Sequence, residues 1–140
     1  MELRSPKLAL ALLRAAVGAV FFLHGWAKIF FGFRGPLATL LAQWSVPQSE
    51  AVAWAIAVVE LVGGVLFALG VFWQFFGAVF ALEMAIAIAR VHGPIGWYVV
   101  GPGRNGAEFC ALLLAALATL FIGGPGWRPF AEAGSRKPEA

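Results

Sequence analysis

The sequence predicts an all-α integral membrane protein: a four-helix bundle with a short interfacial helix in its first outer loop. Three observations carry that prediction. Hydrophobic residues fill 61% of 140 positions and charged residues only 12%, against roughly 25% charged in a soluble domain. More apolar surface is present than one small core can hide, so the excess must face lipid. The apolar residues also gather into four runs separated by Gly, Pro and polar clusters, and the runs are apolar on all faces rather than along one stripe.

The first span is expected over Leu8 to Phe31, interrupted by Arg14, His24 and Lys28. Its basic start resembles a secretory signal. Arg14 would break the apolar stretch of such a signal and no small-x-small cleavage site follows, so a retained helix is expected. In the loop from Gly32 to Glu50, Pro36 can open a helix, and Leu37, Leu40, Leu41 and Trp44 fall at i, i+3, i+4 and i+7. That stripe, with an aromatic at its end, predicts the interfacial helix. Pro47 stops it, and Ser49 can cap the next helix.

The second span, Ala51 to Phe72, carries the single charge Glu60, and Gly70 and Gln74 bracket a very short turn. The third runs from about Gln74 to Val91 with Glu83 and Arg90 inside it. A loop rich in Gly and Pro follows from His92 to Arg104, where Trp97 and Tyr98 can anchor at headgroup level. The fourth span, Gly106 to Ile122, ends at the breaker Gly123-Gly124-Pro125-Gly126. The third and fourth runs are close to the shortest stretch that crosses ~30 Å of hydrocarbon. Residues 1–127 form one membrane domain on this reading, and 128–140 a flexible polar tail. His24-Gly25 and His92-Gly93 close the first and third spans, a faint trace of a duplicated helix pair.

Four spans put both termini on one side. Arg4, Lys7, Arg128, Arg136 and Lys137 lie there, and Arg34 and Arg104 lie in the opposite loops with Lys28 and Arg90 nearby. The bias predicts cytoplasmic termini in a bacterial or archaeal cytoplasmic membrane. A net charge of +3 is too sparse for nucleic acid and suits anionic headgroups.

Function is sought among the polar residues inside the spans. At ~1.5 Å of rise per residue, His24, Glu60 and Glu83 fall at one level below the outer surface, with Lys28, Arg90, His92 and Glu108 nearer the interface. His24 and Lys28 share a face at i, i+4, and Glu83 and Arg90 share one two turns apart. Ala53, Ala57, Glu60, Gly64 and Phe67 line one face of the second span, and Phe80, Glu83, Ala87 and Arg90 one face of the third. Ionised groups facing lipid cost several kcal/mol each, so these side chains are expected to point inward and pair. Small neighbours allow the helices to approach closely. The candidate ligand-binding or proton-relay set is therefore His24, Lys28, Glu60, Glu83, Arg90 and Glu108.

Each residue also has a purely structural reading. Glu60 and Glu83 can fix helix register as a buried pair, and His24 can simply bond a neighbouring helix. Lys28, Arg90 and Arg104 can snorkel to headgroups, as Arg14 is expected to do from the inner side. Glu108 can serve only to offset the macrodipole of the fourth helix, and His92 can be solvated. Walker, CxxC, CxxCH and paired Glu-x-x-His patterns are missing, so no metal site is expected. The single Cys110 permits no internal disulfide.

Phe22-Leu23-His24-Gly25 with Lys28, then Glu60-Leu61-Val62-Gly63-Gly64 with Leu69-Gly70, then Glu83, His92, Glu108 and Gly124-Pro125-Gly126, together resemble the DoxX family of small four-helix membrane proteins. The resemblance covers nearly the whole chain up to Trp127. It implies a four-helix bundle in the cytoplasmic membrane and a redox setting, because DoxX-like proteins include a subunit of a thiosulfate:quinone oxidoreductase and others associate with thiol and oxidative-stress systems. The expectation is a quinone-interacting or redox-accessory subunit with an outward-facing polar pocket. Quinone is the candidate cofactor, and the partners are the bilayer and other membrane subunits that supply electrons. A packing or assembly subunit of a larger complex, or a small-amphiphile binding protein or transporter, are the alternatives from other classes.

Overall fold

The structure is a computed structural model that describes residues 5–101 and 105–129. Arg4, Arg104, Arg136, Lys137 and the tail from residue 130 onward lie outside the described residues. Five helices make up the rest, with no strand among the described residues: α1 (Pro6–Phe30), α2 (Arg34–Gln43), α3 (Ser49–Leu69), α4 (Trp73–Ala87) and α5 (Glu108–Gly123). A π turn, Ile88–His92, and a 3-10 turn, Gly93–Ile95, extend α4.

Local chemistry sets these boundaries. Ser5 caps α1 by accepting from the Leu8 amide at 3.2 Å, with Pro6 in the first turn where its missing N–H costs nothing. Gly70 ends α3 in the left-handed region (φ 79°), and the Val71 amide returns to the Leu66 carbonyl at 2.8 Å. Two expectations shift. α2 starts at Arg34, before Pro36. The N-cap of α3 is Gln48, whose own left-handed backbone (φ 51°) draws Ser49 into the first turn, and no side chain caps that end.

α1, α3 and the stretch Trp73–Ile95 are each long and apolar enough to cross a membrane. α5 is shorter, with 16 residues, or about 24 Å of helix. α1 packs along α3 and α5, and α4 packs against α3 and α5. The α1–α3 seam is tight because glycines form it. A Cβ on Gly25 would collide with the Leu61 amide and the Ala57 carbonyl, and one on Gly18 with the Gly64 carbonyl. Inside, Phe21 stacks on Phe80 with ring centroids 3.8 Å apart, Phe67 meets Phe80 edge-on, and Leu113, Leu117 and Leu120 of α5 close the core. Leu12, Leu23, Val62, Leu82 and Leu112 point outward and exposed, as lipid-facing residues do.

The two ends of the assembly differ. At the terminal end Arg14, 2% exposed, donates to the Ala68 carbonyl at 3.2 Å, to the Trp127 carbonyl at 2.9 Å and to the Pro125 carbonyl. The Trp127 amide donates to the Lys7 carbonyl at 3.1 Å. Arg14 therefore does not snorkel. Its guanidinium is held among carbonyls that Gly70 and the Gly124–Gly126 breaker leave without helical partners, and it ties α1, α3 and the chain after α5 together. At the opposite end, here the loop end, α2 packs on α3 through a small separate cluster of Ala38, Leu41 and Ala53. The buried stripe of α2 thus centres on Ala38 and Leu41, with Leu37, Leu40 and Trp44 half-buried.

Candidate functional site

On α3 the buried face reads Ala53, Ala57, Glu60, Gly63, Gly64 and Phe67, so the expected pattern holds and places Glu60 toward the interior. Glu60 has no exposed surface. Lys28, two residues before the end of α1, donates to both of its oxygens, at 2.5 and 2.6 Å. The lysine side chain keeps 17% exposure against 1% for the glutamate side chain, so the pair is sealed on its acidic side and open on its basic side.

Glu83, from α4, stands within electrostatic range of both Glu60 and Lys28. Lys28, Glu60 and Glu83 thus bring one amine and two carboxyl groups into one neighbourhood between α1, α3 and α4. An unpaired charge left in such an interior costs several kcal/mol. Cys110, buried in the first turn of α5, stands close enough to Glu83 to feel its charge.

His24 belongs to the same neighbourhood, within electrostatic range of Lys28, Glu60 and His92, with the Phe109 ring at 6.5 Å. It makes no hydrogen bond among the described residues and its surface is exposed. α5 begins only at Glu108, so little packs outside the imidazole. His24 stands at the rim of the cluster rather than inside it.

The other two expected residues lie elsewhere. Arg90 does not descend to Glu83. The wide π turn at 88–92 breaks the α-helical phase that would have aligned them, and the Arg90 guanidinium lies 5.0 Å from the centre of the Trp44 ring on α2. Glu108 starts α5 and accepts from the Val99 amide at 2.9 Å, while its own amide donates to the Trp97 carbonyl at 3.0 Å. It fastens the returning loop to the helix. Nearby, His92 Nδ1 lies 2.8 Å from the Asn105 carbonyl. No group of metal-ligating side chains is present among the described residues.

Sequence reasoning missed Arg14 as a site of order. The signal available was the pairing of a basic residue on α1 with the glycine-rich breaker after α5, which strands carbonyls that need donors. A contact 111 residues away along the chain has no local trace.

Long apolar helices, lipid-facing leucines and a charged cluster enclosed between helices define a helical membrane protein. The DoxX family profile matches residues 9–93, and the chain belongs to that family. It is also 33% identical, over 121 residues, to a Bacillus subtilis (strain 168) protein described as "Putative oxidoreductase CatD", covering 86% of this chain and 83% of that one. No solved structure matches.

Proposed function

We propose that the chain is a redox-accessory membrane subunit whose Lys28–Glu60–Glu83 cluster exchanges protons with a quinone held at its rim. The buried Lys28–Glu60 ion pair with a second carboxyl, Glu83, beside it carries the reading. Reducing a quinone to a quinol consumes electrons and protons in equal number. The chain has no flavin, haem or cluster motif, so on this reading the electrons come from a partner oxidoreductase and the chain's own residues handle the protons. Lys28 spends two contacts on Glu60 and has a third N–H to offer. The uncommitted imidazole of His24 supplies a second donor for a quinone carbonyl oxygen. The oxidoreductase description of the Bacillus subtilis relative is consistent with such a setting. The same reading takes α1, α3, α4 and α5 as four spans, with α2 at the outer interface, both termini in the cytoplasm and His24, Lys28, Glu60 and Glu83 as the site.

A second reading has its own support. Both oxygens of Glu60 are already satisfied by Lys28, as in a scaffold pair that holds α1 to α3 inside a larger complex. Titration of the purified protein with a short-chain quinone, followed by tryptophan quenching, separates the two. The quinone reading expects saturable quenching that weakens at least about tenfold in Glu83→Gln and His24→Phe, each still folded by circular dichroism. Unsaturable quenching, identical in the variants, would leave the scaffold reading.

A further inference from the structure

We propose that α2 is a roof over the Glu60–Glu83 cluster, latched by the stacking of Arg90 on Trp44, and that access from the loop end depends on releasing that latch. The Lys28 side of the cluster is partly open but Glu60 is sealed, and three observations place α2 across the way to it from the loop end.

The first is register. Ala53, Ala57 and Glu60 lie on one buried face of α3, and Ala53 is the residue on which Ala38 and Leu41 of α2 rest. The roof therefore sits on the continuation of the face that carries Glu60, two helical turns above it. Arg90, the other contact to α2, lies the same number of residues beyond Glu83, in the π turn after α4, and so at a similar height though not on the Glu83 face. Both carboxyls thus lie about two turns beneath a point where their own helix holds α2.

The second is how α2 is held. Its apolar contacts form a small cluster apart from the main core. The remaining attachments are polar and at its edges: Arg90 over Trp44 at 5.0 Å, Arg34 over the Trp54 ring at 4.5 Å, and an ion pair between Arg34 and Glu50. Such contacts break and reform at much lower cost than a packed core does. The π turn that swings Arg90 off the Glu83 face aims it at α2.

The third is at the joints. Gly32 before α2 has φ 80°, and Ser45 and Gln48 after it have φ 59° and 51°. Left-handed backbone at two non-glycine residues is held in place only by its surroundings. Releasing α2 frees Ser45 and Gln48 to leave it, so the joint after α2 favours movement once the latch opens, while Gly32 holds its φ without strain.

A cysteine beneath the roof tests this. Ala57→Cys is placed in a Cys110→Ala background, and its reaction with a small charged methanethiosulfonate is timed in detergent micelles. With opening faster than modification, the rate reads the open fraction. Losing one exposed cation–π contact should raise that rate about two- to fivefold. Arg90→Gln and Trp44→Leu should each do so, the double variant no more than either, and Leu117→Cys in the core should stay unreactive throughout. Should Ala57→Cys fail to fold, Ala53→Cys reports the same opening. Unchanged rates, additive effects of the two latch variants, or an equal rise at Leu117→Cys would each overturn the proposal. The measurement involves no quinone, so its outcome stands apart from that of the quinone titration.

Discussion

Breaking the Lys28–Glu60 pair should cost different amounts according to which partner is removed. Lys28→Met leaves a carboxyl without exposed surface, beside a second carboxyl and deprived of its cation. Known buried pairs lose about 3–5 kcal/mol in that situation. Glu60→Gln leaves a lysine whose side chain is already 17% exposed and which lies two residues from the end of its helix. Its four-carbon stem can carry the ammonium to the interface, so the loss falls to the cost of an unmet buried polar contact, about 1–3 kcal/mol. The double variant should then resemble Glu60→Gln rather than the sum of the two. Equilibrium unfolding in mixed dodecylmaltoside and dodecylsulfate micelles, followed by helical circular dichroism, gives the four free energies of the cycle. A coupling below about 0.5 kcal/mol would mean the residues are independent. Equal single losses would refute the argument from unequal burial even if the coupling were large.

Two further outcomes follow from the packing. Gly25→Val drives side-chain atoms into the Leu61 amide and the Ala57 carbonyl, neither of which can move without displacing α3, and should cost about 1–3 kcal/mol or more in the same unfolding assay; Gly35→Ala, with nothing near its Cβ, should stay within about 1 kcal/mol of the parent. Arg14→Met removes the donor for the carbonyls of Ala68, Pro125 and Trp127 and should speed amide exchange at Trp127 while leaving the cluster at Glu60 unaffected. Arg14→Lys, one ammonium without a planar fork, should restore only part of that protection, and full protection would show that charge alone suffices there.

What was legible in the sequence was whatever helical periodicity writes into it. Small residues at 53, 57 and 64 share the face of Glu60 and turn it toward the interior, where long apolar helices must hide its charge against a cation of a neighbouring helix. Arg90 was misplaced by the same reasoning. Counting in steps of an α-helix from Glu83 holds only while the helix stays α, and the π turn at 88–92 has no periodic signature. Snorkelling, the default for an arginine near a helix end, misreads Arg14, whose partners lie at the end of α3 and on the segment after α5, which local pattern cannot bring together. The capping of α3 failed for a smaller reason: a left-handed Gln48 takes the position that Ser49 would suit by propensity.

The two ends of the helix assembly are closed by opposite means, and the difference bears on what passes through. At the terminal end a cation is bound to neutral carbonyls, which neither titrate nor let go without leaving the guanidinium buried and unmet; that end is built to stay shut. At the loop end the groups are the ionisable side chains of Lys28, Glu60, Glu83 and His24, beneath a short helix held by stacked rings and a rim ion pair. That asymmetry suits the proposed subunit, which takes a polar headgroup and protons from one side and keeps them from the other. The proposed function and the latched roof therefore address the same end of the molecule. Arg14 gives the matching expectation: weakening it should loosen the terminal end without changing the modification rate of Ala57→Cys, and a rise in that rate would show that the two ends open together.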